Sequence, residues 1–115
     1  MKKIIKLLII LSFTVSSLAF AHVGLNISIP KDNAMLMQSP ESLVLTFTKE
    51  VRVVKVILKD SKDNEVDFGF KLNKDSAAEF SWALPKLIPS NYRVEWTIMG
   101  ADGHKMKGKF GFMVH

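Results

Sequence analysis

From Leu43 to Thr48 the chain reads LVLTFT, with Leu43, Leu45 and Phe47 alternating against Val44, Thr46 and Thr48. EVDFGFKL does the same: Val66, Phe68, Phe70 and Leu72 fall on one side, and Asp67, Gly69 and Lys71 on the other. In NYRVEWTIM, Tyr92, Val94, Trp96 and Ile98 point one way, and Arg93, Glu95 and Thr97 the other. GKFGFMV repeats the pattern with Phe110, Phe112 and Val114. Successive side chains of a strand leave opposite faces, so a period of two with one apolar side marks an antiparallel strand resting on a core. Weaker alternation at Leu25–Ile29, Val51–Lys59 and Ala78–Leu84 adds further candidates. PKDN, SKDN, NKDS, IPSN and ADGH divide these segments, and all are rich in turn-forming residues. No helical periodicity appears beyond residue 21. The expectation is an all-β domain of about seven short strands, a seven-stranded Greek-key β-sandwich or barrel. Tyr92, Trp96, Phe80 and Trp82 read as packing residues, and no linker, repeat or second domain interrupts the pattern.

The opening of the chain has a different character. Lys2 and Lys3 precede a mostly apolar run from Ile4 to Phe20, and Ala19-Phe20-Ala21 closes it with small residues where a signal peptidase requires them. This is the arrangement of a secretory signal cut after Ala21. A retained membrane anchor is the alternative, but the run is shorter than the roughly 20 apolar residues of a full span. The expected division is residues 1–21 as signal and 22–115 as one exported domain. The cut changes the charge. Of the 16 basic residues, Lys2, Lys3 and Lys6 leave with the signal, so 13 face 11 acidic ones and a net charge of +5 falls to +2. A domain so nearly balanced has no general pull toward nucleic acid. The absence of cysteine excludes disulfide staples, zinc ribbons and thiolate copper centres.

Catalytic signatures are missing. No glycine-rich phosphate loop follows a strand, and no Gly-x-Ser-x-Gly elbow occurs. Asn26-Ile27-Ser28 fits a glycosylation sequon, a match common by chance. Histidine is more informative, because the chain holds only His22, His104 and His115. Cleavage after Ala21 makes His22 the first residue, so its free amine and its ring can chelate one metal. Asp102 and His104 in GADGHKMKG stand at i and i+2, which point the same way in an extended segment. One end of a sandwich can bring the start of the first strand to a loop near the last. Three nitrogens and one carboxylate oxygen, from His22, His104 and Asp102, then suit a tetragonal Cu(II) centre, and Cu(II) heads the divalent affinity order. The amine must lose its proton to bind, so affinity falls in acid. Taken singly, Asp-x-His is a common turn and a lone histidine a solvated side chain. Their coincidence with a terminal histidine carries the metal reading. His115 reads as a mobile, solvated terminus.

These residues sit in longer blocks: SIPKDNAML, SPESLVLTFTKEV and NYRVEWTIMGADGHKMKGKFGFMV. With the terminal His22 they resemble the CopC family of periplasmic copper-binding proteins. That family carries Ser-x-Pro-x-Asp-Gly-Ala-x-Leu, Pro-x-x-Leu-x-Leu-x-Phe-x-x-x-Val and Tyr-x-Val-x-Trp-x-x-x-Ser-x-Asp-Gly-His-x-x-x-Gly-x-Phe-x-Phe. The resemblance implies a cupredoxin-like or Ig-like sandwich that binds Cu(II) through His22, Asp102 and His104. It implies a monomeric periplasmic carrier or chaperone for copper resistance, storage or delivery, not an enzyme, working with a separate inner-membrane copper permease. Gly24 stands where many members have a further histidine, and Gly100 where serine is commoner. Some members also hold Cu(I) in a methionine-rich loop. Met35 and Met37 lie in the corresponding region, and thioethers are soft ligands suited to Cu(I). Met99, Met106 and Met113 either assist or fill the core. The rival readings are a copper-dependent oxidative enzyme with a histidine brace and a metal-free adhesion or assembly module.

Overall fold

A computed structural model of the chain describes residues 24–115. It contains β1 (Leu25–Ile29), β2 (Ala34–Leu36), β3 (Ser42–Lys59), β4 (Ala77–Ala83), β5 (Ser90–Met99) and β6 (Lys105–Val114). No helix occurs among the described residues. β1 and β4 both pair with the first half of β3, β5 pairs with its second half, and β6 pairs with β5. These pairings are antiparallel, whereas β2 adds to β6 in parallel. The all-β expectation holds, with six strands among the described residues in place of seven.

The difference in strand number has three local causes. LVLTFT and Val51–Lys59 are one strand of 18 residues, because TKEV between them contains no Gly, Pro or Asn to turn the chain. This strand passes from one layer to the other between Thr46 and Arg52, which curls the sheet over its own core. A register shift between Val53 and Lys55 then moves burial from Val51 and Val53 to Val56 and Leu58, as an inserted residue must.

The second cause is EVDFGFKL, which is not a ladder strand. Its pairing stops after Glu65 bridges Lys59 and the Val66 N–H reaches Leu58 O at 2.7 Å. Asp67 Oδ1 accepts the Gly69 N–H at 2.9 Å and Gly69 takes φ +79°, so a local side chain in place of a ladder partner satisfies that N–H as the chain turns. The inward side was nonetheless read correctly for Val66, Phe68 and Phe70, which are half-buried. Phe68 and Phe70 meet Trp82 at ring distances of 6.1 and 6.0 Å. Leu72 is the exception, 64% exposed beyond the turn. The third cause is β2, whose three residues are too few to show a period. The Asn33 N–H to Gly111 O (2.6 Å) and the Gly111 N–H to Asp32 Oδ1 (3.1 Å) dock it beside β6.

The core lies between the layers. Leu43, Leu45, Leu58, Val94 and Ile98 are fully buried. The Trp96 ring meets Phe47 edge-on at 5.4 Å, and Tyr92 stacks on Phe112 at 5.5 Å, both favourable aromatic geometries. Tyr92 Oη donates to Ile88 O at 2.5 Å, so burying the ring leaves its hydroxyl satisfied. Gly108 lies directly under the Trp96 indole, where a Cβ would overlap the ring. Sequence alternation assigned Tyr92, Val94, Trp96, Ile98, Phe110, Phe112 and Val114 to the interior, and all are buried.

Candidate metal centre

β5 and β6 are joined by residues 100–104, a loop closed by its own backbone. The Gly100 N–H donates to His104 O at 2.9 Å, and the Gly103 N–H to Gly100 O at 3.0 Å. Gly103 takes φ +86°, the left-handed position that completes a short hairpin loop and favours glycine. The Asp102 carboxylate folds over this loop. Oδ1 accepts the His104 N–H at 3.1 Å, and Oδ2 lies 2.7 Å from His104 Nδ1. The sequence spacing thus brings Asp102 and His104 together as expected. Gly100 also contributes, because a Cβ there would lie 3.2 Å from Asp102 Oδ1. A serine at this position would push on the carboxylate, so the glycine lets Asp102 close down fully.

Both side chains are open to solvent, His104 83% and Asp102 68% exposed. The hydrogen bond and charge of His104 hold the Asp102 carboxyl below its usual range. The same carboxylate raises the His104 imidazole above its ordinary value. The pairing orients the ring, with Nδ1 toward Asp102 and Nε2 left for another partner, the arrangement that prepares a histidine to bind metal.

His22 lies outside the described residues. Gly24, two positions later, is tied to β3: its N–H meets Thr48 Oγ1 at 3.2 Å, and its carbonyl accepts the Thr48 N–H at 3.0 Å. Met99, just before the loop, pairs with Arg52. Arg52 follows Thr48 by four positions along β3, a contour of about 13 Å. The entry to β1 and the 100–104 loop therefore share one end of the fold. Among the described residues, no three His, Asp, Glu or Cys side chains gather closely enough to hold a metal. Thr48 was not singled out from the sequence, because its role depends on a pairing between distant strands.

Met35 and Met37 lie at the other end of β6. Both are exposed, 67% and 79%. The parallel register places Met35 beside Met113, and the His115 N–H donates to Leu36 O at 2.8 Å. The backbone of His115 is thus pinned to β2, where a mobile terminus had been expected.

The family model for the CopC domain matches residues 25–115. Protein YobA of Escherichia coli (strain K12) is 28% identical over 112 residues, covering 94% of this chain and 90% of that protein. Copper transport protein CutJ of Bacillus subtilis (strain 168) is 30% identical over 102 residues, covering 84% of this chain and 18% of that protein. The crystal structure of CopC from Methylosinus trichosporium OB3b gives a TM-score of 0.70 at 27% identity, covering 81% of this chain and 93% of the other. PcoC, a methionine-rich copper resistance protein from Escherichia coli, gives 0.68 at 22% identity, covering 83% and 100%. This last likeness concerns the fold alone.

Proposed function

The chain belongs to the CopC family, and from that premise we propose that it is an exported, periplasmic Cu(II) carrier or chaperone serving copper resistance, storage or delivery. Cleavage after Ala21 frees the His22 amine. That amine and the His22 ring supply two nitrogens, His104 a third and Asp102 an oxygen, a donor set suited to tetragonal Cu(II). The observation that carries the reading is the Asp102–His104 pair, closed at 2.7 Å and exposed, on a loop at the same end of the fold as the entry to β1. On metal binding Asp102 exchanges its bond to Nδ1 for the copper, a swing its exposure permits. The role is binding rather than turnover, and a separate inner-membrane permease is the partner that would receive the ion. The mass of the secreted protein, followed by Cu(II) titration under electron paramagnetic resonance, tests this directly. The native protein should start at His22 and show nitrogen couplings that weaken in His104→Ala. A start at any other residue, or an unchanged spectrum in that variant, overturns the assignment.

A second reading is favoured by the register of β2 against β6. Cu(I) is proposed to bind Met35 and Met37, with Met113 beside Met35 and His115 anchored next to Leu36. Thioethers and imidazole are suitable donors for this softer ion.

A further inference from the structure

The charge on this domain is unevenly distributed. Across β3, β5 and β6 the solvent-facing paired positions form the rows Arg52–Met99–Lys105, Lys55–Thr97–Lys107, Ile57–Glu95–Lys109 and Lys59–Arg93–Gly111. These rows hold seven of the 13 basic residues that follow Ala21 and only one of the 11 acidic ones, Glu95. Six bases and ten acids remain elsewhere, so a domain of net +2 has one strongly positive face and an otherwise negative surface. Glu50 and Asp102 stand just beyond the end of the face. Glu95 is committed to Arg93 at 2.8 Å and Lys59 at 3.6 Å, and Arg93 also meets Asp63 at 2.8 Å. Arg52, Lys55, Lys105, Lys107 and Lys109 form no ion pair among the described residues.

We propose that this three-stranded basic face docks the protein on an anionic phospholipid surface. Its chemistry separates that partner from an acidic protein. The centres of protein interfaces are depleted in lysine and anchored by buried aromatic or aliphatic side chains. Here the free cations are mostly lysines, the face carries no aromatic, and its apolar residues Ile57 and Met99 are already half-buried. Compact ammonium charges spread over several strands match a diffuse layer of phosphates. The row begins at Lys105, next to His104, so a docked domain holds its 100–104 loop at the rim of the contact. The inference does not depend on which metal is bound.

The test is co-sedimentation of the exported protein with phosphatidylglycerol–phosphatidylcholine vesicles and with pure phosphatidylcholine vesicles. Binding should be confined to the anionic vesicles and vanish in about 1 M salt, where charges are screened over about 3 Å. Lys105→Gln/Lys107→Gln/Lys109→Gln should weaken binding about a hundredfold, and Arg52→Gln/Lys55→Gln by more than about tenfold. Lys71→Gln/Lys74→Gln/Lys86→Gln, an equal loss of charge away from the face, should change little. Equal binding to both vesicles would reveal an apolar anchor and overturn the proposal. So would equal loss in the off-face variant, or binding to polyglutamate without binding to anionic vesicles.

Discussion

The two ends of β6 gather different donors by different means. At its start, a five-residue hairpin loop closes on itself, and a carboxylate two positions from an imidazole orients the ring. At its end, Met35 is set beside Met113 because a three-residue strand has been added in parallel from a part of the chain nearly 80 residues earlier; Gly111 bonds to Asp32 across a separation of 79. The first arrangement is local and depends on spacing and two glycines. The second is a product of topology and exists only if the whole sheet forms. The contrast predicts that the Asp102–His104 pair tolerates changes in the fold better than the Met35–Met113 register does.

The sharpest way to break this comparison is to damage the strand that both ends share. Gly108 sits midway along β6 with the Trp96 indole against its Cα. Gly108→Val forces Trp96 out of its place against Phe47, and overpacking of this kind costs about 3 kcal/mol or more. Denaturant unfolding should show a shift of that size. In whatever fraction remains folded, the Met35–Met113 register should fail before the Asp102–His104 bond does. Nuclear magnetic resonance of the methionine methyls and the His104 ring separates the two. Loss of both signals in parallel would show that the hairpin is no more independent than the β2 docking.

How much of this was legible in the sequence follows the same division. Alternation assigned the inward faces of β5 and β6 correctly because β5 has one buried side over nearly its full length and β6 over its second half. It also identified Val66, Phe68 and Phe70 as inward-facing, yet wrongly made their segment a strand. Periodicity reports which side is buried, not whether a neighbour completes the ladder, and Asp67 and Gly69 close a turn there instead. The joining of LVLTFT to Val51–Lys59 was hidden because Thr48, Lys49 and Glu50 are all exposed, which interrupts the alternation without ending the strand or changing its phase. Asp102 with His104 was legible because i, i+2 geometry is local. Met113 and His115 beside β2 were not, since no local rule pairs residue 35 with residue 113.

A milder change tests the sulfur pole alone. Met35→Leu/Met37→Leu keeps volume and apolar character at two exposed positions, so stability should change by less than about 1 kcal/mol. Cu(I) affinity, measured by competition with a chromophoric chelator, should fall by about a hundredfold, since losing two ligands exceeds the tenfold to hundredfold cost of losing an outer-shell partner. The Cu(II) resonance spectrum should be unchanged. An unaltered Cu(I) affinity would remove the second pole from the comparison and leave Met35 and Met37 as surface residues.

The smallest perturbation is Asp102→Asn, and its value lies in what it separates. Asp102 raises the His104 pKa through a hydrogen bond and its charge, and His104 in turn lowers that of Asp102. By linkage, the histidine term stabilises the fold below the ordinary histidine pKa and is lost as pH rises through the raised value. The carboxylate term is present above the ordinary aspartate pKa and is lost as pH falls through the lowered one. The pair therefore acts between those limits, and its exposure keeps the effect on unfolding small. Removing the charge should return the His104 titration, followed by its ring proton resonances, toward about 6.5. Copper then distinguishes the two roles open to this carboxylate. At about pH 8 an ordinary histidine is neutral, so replacing a carboxylate that only holds Nδ1 costs there no more than the roughly tenfold to hundredfold of an outer-shell partner. Near pH 6 that cost shrinks, because fewer protons compete for the ring. A carboxylate that ligates the metal costs more than that at both values when replaced. The proposed donor set requires the second result, and the first would leave His104 in the site while moving Asp102 one shell out.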